Sequence, residues 1–221
     1  MIEELHFASP IYFENKPEWV EKIDKACDKH LKKSLNSFSF QEEMEKRKKQ
    51  YGEDFDKVKD FAWPNHSGMI AMDPEVEELR DYIVKNSHDI LSKQGFDMSS
   101  FDMAISEFWV QEFPKGGYHD THIHYNSHIS GFYFLRCSDK TSKAVFHDPR
   151  PAAQMTKLPL KNNDVHSLGQ DKIYVNAKPG TLVWFNSYLP HQFTVDSGVD
   201  DFRFIHFNLS AIPRQITTLE K

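Results

Sequence analysis

Along the first hundred residues apolar positions recur every three or four places; after that they crowd into short runs broken by Gly, Pro, Asn and Asp. Pro17 suits a first helical position, and Val20, Ile23, Cys27, Leu31 and Leu35 follow on one helical face with charges between them. A second helix is predicted from Asp73 as N-cap. Pro74 follows it, Glu75 and Glu77 complement the first turn, Val76, Leu79, Ile83 and Ile90 share one face, and Gly95 is a stop. Between the two, Ser37 to Lys59 is densely charged and loses its period near Gly52, which leaves open a surface helix, a mobile lid or a substrate-specific excursion.

The second half predicts strands at Ala104 to Phe113, Ile129 to Arg136, Lys143 to Phe146, Lys172 to Asn176, Thr181 to Phe185 and Arg203 to Leu209. Helices first and short strands afterwards indicate a β-rich α+β chain in which helices pack on a sandwich, jelly roll or barrel. We expect one domain over residues 1–221, with residues 1–100 mainly helical support and 101–213 the β core, because the seam at Asp97 to Phe101 has no linker composition and no repeat is evident.

Composition narrows the function classes. Of the 221 residues, 39% are hydrophobic and 14% aromatic, with 18 Phe, which is ample for a packed interior. A charged fraction of 27% and a mean hydropathy of −0.63 suit a water-facing surface. The formal charge is −6, and the basic run Lys46 to Lys49 sits beside Glu42, Glu43 and Glu45, so no nucleic-acid partner is expected. Cys27 and Cys137 lie far apart without Cys-x-x-Cys spacing, which argues for a reducing compartment. No signal-type start and no apolar run of membrane length occurs, so the expected location is cytoplasmic with no membrane partner.

The chemistry concentrates in histidine. Eight of the 12 histidines fall between His119 and His206, four of them in His119-Asp-Thr-His-Ile-His-Tyr-Asn-Ser-His128. On a strand or its edge His122 and His124, two apart, share a face, so two imidazoles can converge on one ion. His191, after the run Gly180 to Phe185 and the turn Asn186 to Pro190, is the third candidate ligand, which a jelly roll would return beside the first pair. These three are the expected metal and catalytic residues, with His119 nearby as a substrate-binding or supporting residue. His128, His147, His166 and His206 are read as structural or exposed. Imidazole suits iron, zinc, copper and nickel alike, so the metal is left open by the ligands alone. Arg203, heading the aromatic run Arg203 to Leu209, offers a planar fork for a carboxylate, the alternative being a surface pair with Asp200 or Asp201.

Taken in order, His119 to Gly131, Phe146-His-Asp-Pro-Arg150, Gly180 to His191 and Phe207-Asn208 resemble the 2-oxoglutarate- and iron(II)-dependent oxygenases found in bacteria and marine phages, and Phe7 to Tyr12 is similar to the start of that family. The resemblance implies a double-stranded β-helix (jelly roll, cupin-like) core, Fe(II) as metal, 2-oxoglutarate as cosubstrate, O2 as oxidant, and hydroxylation with release of succinate and CO2. It implies cofactor-binding roles for Arg203 and Gln111 and a substrate-binding role for Arg150. Three departures stand out. His124 occupies the place of the usual carboxylate ligand, Phe134 stands where a tyrosine is often found, and Arg203 is one residue closer to Phe207-Asn208 than in related sequences. Two other readings compete: a three-histidine cupin-type dioxygenase without 2-oxoglutarate, and a non-enzymatic jelly-roll binding module. The substrate, small molecule or peptide, is left open, and a homodimer through the helical half is expected to be possible.

Overall fold

The computed structural model describes residues 1–2, 6–62, 65–150, 152, 155, 158–163 and 165–214. Strand β1 (Ile11–Asn15) leads through a 3-10 turn at Pro17–Trp19 into helix α1 (Val20–Leu35). Helices α2 (Phe38–Tyr51) and α3 (Phe55–Val58) follow, then the two-residue β2 (Asn65–His66) and helix α4 (Glu77–Lys93). The β half comprises β3 (Phe101–Phe113), β4 (His119–His122), β5 (Ile129–Arg136), β6 (Ala144–His147), β7 (Lys172–Tyr174), β8 (Thr181–Asn186), β9 (His191–Phe193) and β10 (Phe202–Pro213).

These strands form two antiparallel sheets, one of six in the order β1-β8-β5-β10-β3-β2 and one of four in the order β4-β9-β6-β7. From β3 to β6 and again from β7 to β10 consecutive strands alternate between the sheets, the pattern of a jelly roll. The expected fold class is therefore the one observed. One boundary differs: β1 and β2 belong to the β layer although they lie in the helical half, because each is too short to show a period and is made a strand by an edge it can pair with.

Alternation along the central strands divides the core in two. On β10 Arg203, Ile205, Phe207 and Leu209 alternate with Phe202, Phe204, His206 and Asn208. The first set faces a layer built from Ile23, Cys27 and Leu31 of α1 and Leu79, Ile83 and Ile90 of α4. Phe202 and Phe204 of the second join Phe113, Phe132, Phe134, Phe146, Phe185 and Phe193 between the sheets. Tyr133 lies on the helix side, as alternation predicts, and its hydroxyl donates to Lys16 O at 2.6 Å. Gly131 lies where Phe207 crosses the sheet; an added Cβ would collide with the Phe207 ring and the Val183 carbonyl, so this position excludes any side chain.

Asp73 caps the turn into α4 by accepting from Glu75 N at 3.0 Å and also takes Lys29 and His30 of α1 at 2.6 Å each. Burial pushes this carboxyl up, but those hydrogen bonds outweigh it and hold it at about 2. Of the three readings left open for Ser37 to Lys59, the structure realises surface helices: α2 buries no residue, Ser37 caps it, and Arg47 ties its C-terminal half to Phe61 O at 2.7 Å.

Arg203 corrects an expectation. It points away from the space between the sheets and is only 4% exposed beneath α1. Its Nη1 donates to Asp24 and Asp28 at 2.9 Å each, and its Nε to Glu112 at 2.8 Å. Arg136 joins the same cluster through Asp24. Alternation along β10 puts this side chain on the helix face, and a bulge at Leu135 of β5 turns Arg136 to the same side. Replacing Arg203 by Met should lower stability by about 3 kcal/mol in urea unfolding, the low end for breaking a buried ion pair because its carboxylates stay partly in water. Metal binding should be unchanged.

Candidate metal centre

Strands β4 and β9 are four and three residues long, and their antiparallel register sets His122 directly across from His191. A register shift between His119 and His122 opposes three steps on β4 to two on β9. Residues three apart would otherwise face opposite ways; this bulge turns both imidazoles inward, with ring centres 5.7 Å apart. His124 lies just past the end of β4, where its backbone N–H donates to Ser187 O at 3.0 Å.

The three expected ligands do converge. Each of His122, His124 and His191 offers a ring nitrogen, all within 4.8 Å of one another. Nδ1 of His122 lies 2.6 Å from Asp120 O, and Nδ1 of His191 2.9 Å from Leu189 O. A carbonyl only accepts, so in the neutral rings these Nδ1 atoms carry the hydrogen and both Nε2 lone pairs are free for an ion, the usual arrangement of metal-bound histidine. The donor set thus fits a divalent transition metal such as Fe(II).

The surroundings disfavour charge on His191, His124 and His119. His191 is fully buried, walled by Phe185, Phe146 and Phe132 at centroid distances of 4.7, 5.9 and 5.7 Å. Burial brings its pKa down to about 2, with His122 and His124 adding to the effect. Burial likewise lowers His124 to about 3 and His119 to about 4.

Around the triad stand residues of β3 and β10 that alternate inward. Gln111, 1% exposed, holds His119 through its Nε2 at 2.8 Å, and its Oε1 is buried without a partner. His206 was read as structural or exposed; it is buried against Trp109 and His124 at 4.6 and 4.7 Å. Its Nε2 comes within 3.3 Å of the Glu107 carboxylate without hydrogen-bond alignment. Contact with His206, more than burial opposes, draws the Glu107 carboxyl below its usual range. Glu107, His124 and His206 were not singled out together from the sequence, yet their donor atoms also lie within 4.8 Å of one another. For Glu107 a signal was available: two-residue alternation along β3 puts it on the same face as Gln111.

An open depression of about 500 Å³ leads to the centre and is lined by Ala62, Tyr118, His119, Asp120 and His122. The expected substrate residue Arg150 is elsewhere. It is an exposed side chain paired bidentately with Asp148 at 3.0 and 2.8 Å, in a separate crevice shared with Ile11, Phe146 and Lys172. Neither Arg150 nor Arg203 is brought to the triad.

Residues 107–208 match the family model described as "Putative 2OG-Fe(II) oxygenase", the recognition that the sequence motifs carried. The family's cofactors are Fe(II) and 2-oxoglutarate. No curated protein matches the sequence. Among solved structures the chain is similar to AviO1 from Streptomyces viridochromogenes Tue57, with a TM-score of 0.56 at 11% identity over 91% of this chain and 90% of that one. It is similar to a Pseudomonas putida prolyl-4-hydroxylase at TM-score 0.55 and 11% identity, covering 90% and 92%. A prolyl hydroxylase from Trichoplax adhaerens, solved with a hypoxia inducible factor peptide fragment, gives 0.51 at 11% identity over 90% and 83%. These likenesses show the shared fold. No helix among the described residues is long and apolar enough to cross a membrane.

A pH dependence follows. The folded pKa values of His119, His124 and His191 lie below the unfolded 6.5, so between 6.5 and about 4 the unfolded chain binds more protons and folding loses stability as pH falls. Asp73 adds its loss only lower, between 3.8 and about 2. The urea midpoint of the metal-free protein should therefore already drop from pH 7 to pH 4.5; an unchanged midpoint would mean that these imidazoles charge freely in the fold.

Proposed function

We propose that the chain is an Fe(II)- and 2-oxoglutarate-dependent oxygenase that hydroxylates a small-molecule or peptide substrate, releasing succinate and CO2. The observation that carries this reading is the convergence of three imidazoles on one point inside the jelly roll, within the stretch that matches the oxygenase family. Iron with 2-oxoglutarate supplies the oxidising power, using O2 to decarboxylate the cosubstrate and oxygenate a C–H bond.

The residues have distinct tasks. His122 and His191 hold the ion through Nε2, their rings fixed by Asp120 O and Leu189 O. The Phe132, Phe146 and Phe185 rings beside His191 exclude water from that side. Gln111 keeps the cosubstrate role expected of it. Turned about its last bond, its amide presents NH2 to a carboxylate while Oε1 accepts from His119. Substrate enters past Tyr118 and Asp120, and His119 at the floor of that entrance is placed to meet it. Arg203 and Arg150 have no part in this scheme, since their guanidinium groups are engaged with carboxylates elsewhere.

One observation favours a second reading, a three-histidine dioxygenase without 2-oxoglutarate: the cation expected to clamp the far carboxylate lies on the other face of β10. Succinate separates the two. The Fe(II)-loaded protein under air should convert 2-oxoglutarate to succinate, and His122→Ala or His191→Ala should cost more than the roughly 10–100-fold typical of changes outside the ligand set. Gln111→Leu should raise the KM for 2-oxoglutarate about tenfold with a smaller effect on kcat. Stoichiometric iron binding without any succinate would leave the second reading standing.

A further inference from the structure

The hydrogen-bond partners of the three histidines are not equivalent. His122 and His191 each place Nδ1 on a carbonyl, whereas Nδ1 of His124 lies 3.0 Å from Asn208 Nδ2. The orientation of that amide is determined by its other neighbours. Its Nδ2 lies 2.7 Å from Glu107 Oε2, an acceptor, and its Oδ1 accepts from Ser130 Oγ at 2.6 Å. Reversing the amide would set Oδ1 against a carboxylate. The NH2 group therefore donates to Glu107 with one hydrogen and to His124 Nδ1 with the other.

The consequence runs on to the metal side. A neutral His124 that accepts at Nδ1 carries its hydrogen on Nε2, and this nitrogen lies 3.2 Å from His191 Nε2, which has a free lone pair. Donors and acceptors thus form one directed series from Asn208 through His124 to His191, with Glu107 anchoring its start. In that arrangement His124 is protonated at the very atom the triad requires, and its hydrogen occupies the lone pair of a second ligand.

Building on the proposed iron site, we infer that Asn208 and Glu107 are positioning residues that decide whether His124 is a ligand: His122 and His191 form the standing pair, and His124 joins only when the Asn208 amide turns over. The turn is chemically balanced. The proton leaves His124 Nε2 and is regained at Nδ1, Asn208 Oδ1 then accepts from Nδ1, and Nδ2 donates to Ser130 Oγ, whose own hydrogen, released from Asn208, turns to Ser187 Oγ at 2.7 Å. Glu107, whose side chain is 49% exposed, swings towards water. His124 then has the same arrangement as its two partners, an outward N–H on a fixed acceptor and an inward lone pair.

Nitrogen-15 NMR of the histidine rings reads this directly, with Zn(II) alone as a diamagnetic probe. In the metal-free protein His122 and His191 should show the Nδ1–H tautomer and His124 the Nε2–H tautomer; on adding one equivalent of Zn(II), His124 should convert to Nδ1–H. Finding His124 as Nδ1–H before metal is added, or unconverted afterwards, would overturn the inference. The double variant Asn208→Asp, Glu107→Gln supplies an acceptor-only group to His124 and a donor to that group. It should hold His124 as Nδ1–H without metal and bind Zn(II) about tenfold more tightly; equal affinity would again sink the idea. Absence of succinate would count against the oxygenase reading and leave these tautomers untouched.

Discussion

Two strands of four and three residues carry the metal centre, and their pairing is the constraint on which the rest depends. With His122 opposite His191, two imidazoles approach across the ladder with ring centres 4.4 Å apart. A slip by one residue would send both to the outside. Such short strands cannot hold a register alone. β9 is held on its other edge by β6, where Phe146 pairs with His191, and Phe193 anchors it in the aromatic interior against Phe204 at 4.5 Å. The aromatic residues therefore fix the register as well as the dryness of the site.

The six-stranded sheet performs a second separation. One face of β10 belongs to the helices and the other to the centre, and the alternation of its side chains assigns each to one or the other. Arg203 falls on the helix face, where it joins α1 to β3 through Asp24, Asp28 and Glu112. A buried guanidinium so completely engaged is an inter-layer clasp. With it withdrawn, the space between the sheets is lined by phenylalanines and by the neutral polar groups of Gln111, His119 and Asn208, with Glu107 at the margin.

A centre built of imidazoles inside such a wall has a particular electrostatic character. The His122, His124 and His191 triad includes no carboxylate, so its ligands would not offset the charge of a divalent ion held there, and an anionic cosubstrate would be attracted to it. Glu107 acts on the triad both directly, with its carboxylate near the His124 ring, and through the Asn208 amide that donates to each.

Much of this was legible in the chain. The helical faces, six of the strands apart from shifts at their ends, the jelly roll and the three converging histidines all follow from local periodicity and from motifs in a set order, because side-chain spacing reports directly on which face a residue occupies. The surroundings of Arg203 were not legible: which layer its side of β10 faces, and the acidic groups of α1 and β3 that engage it there, are properties of elements meeting across the fold. The short strands β1, β2 and β9 were equally silent, since two to five residues show no period until an edge pairs with them. The role of Asn208 lay furthest from the sequence. Hydrogen-bond direction at His124 depends on Glu107, Ser130 and Asn208 from three different strands, and only the tertiary structure brings their donors and acceptors together.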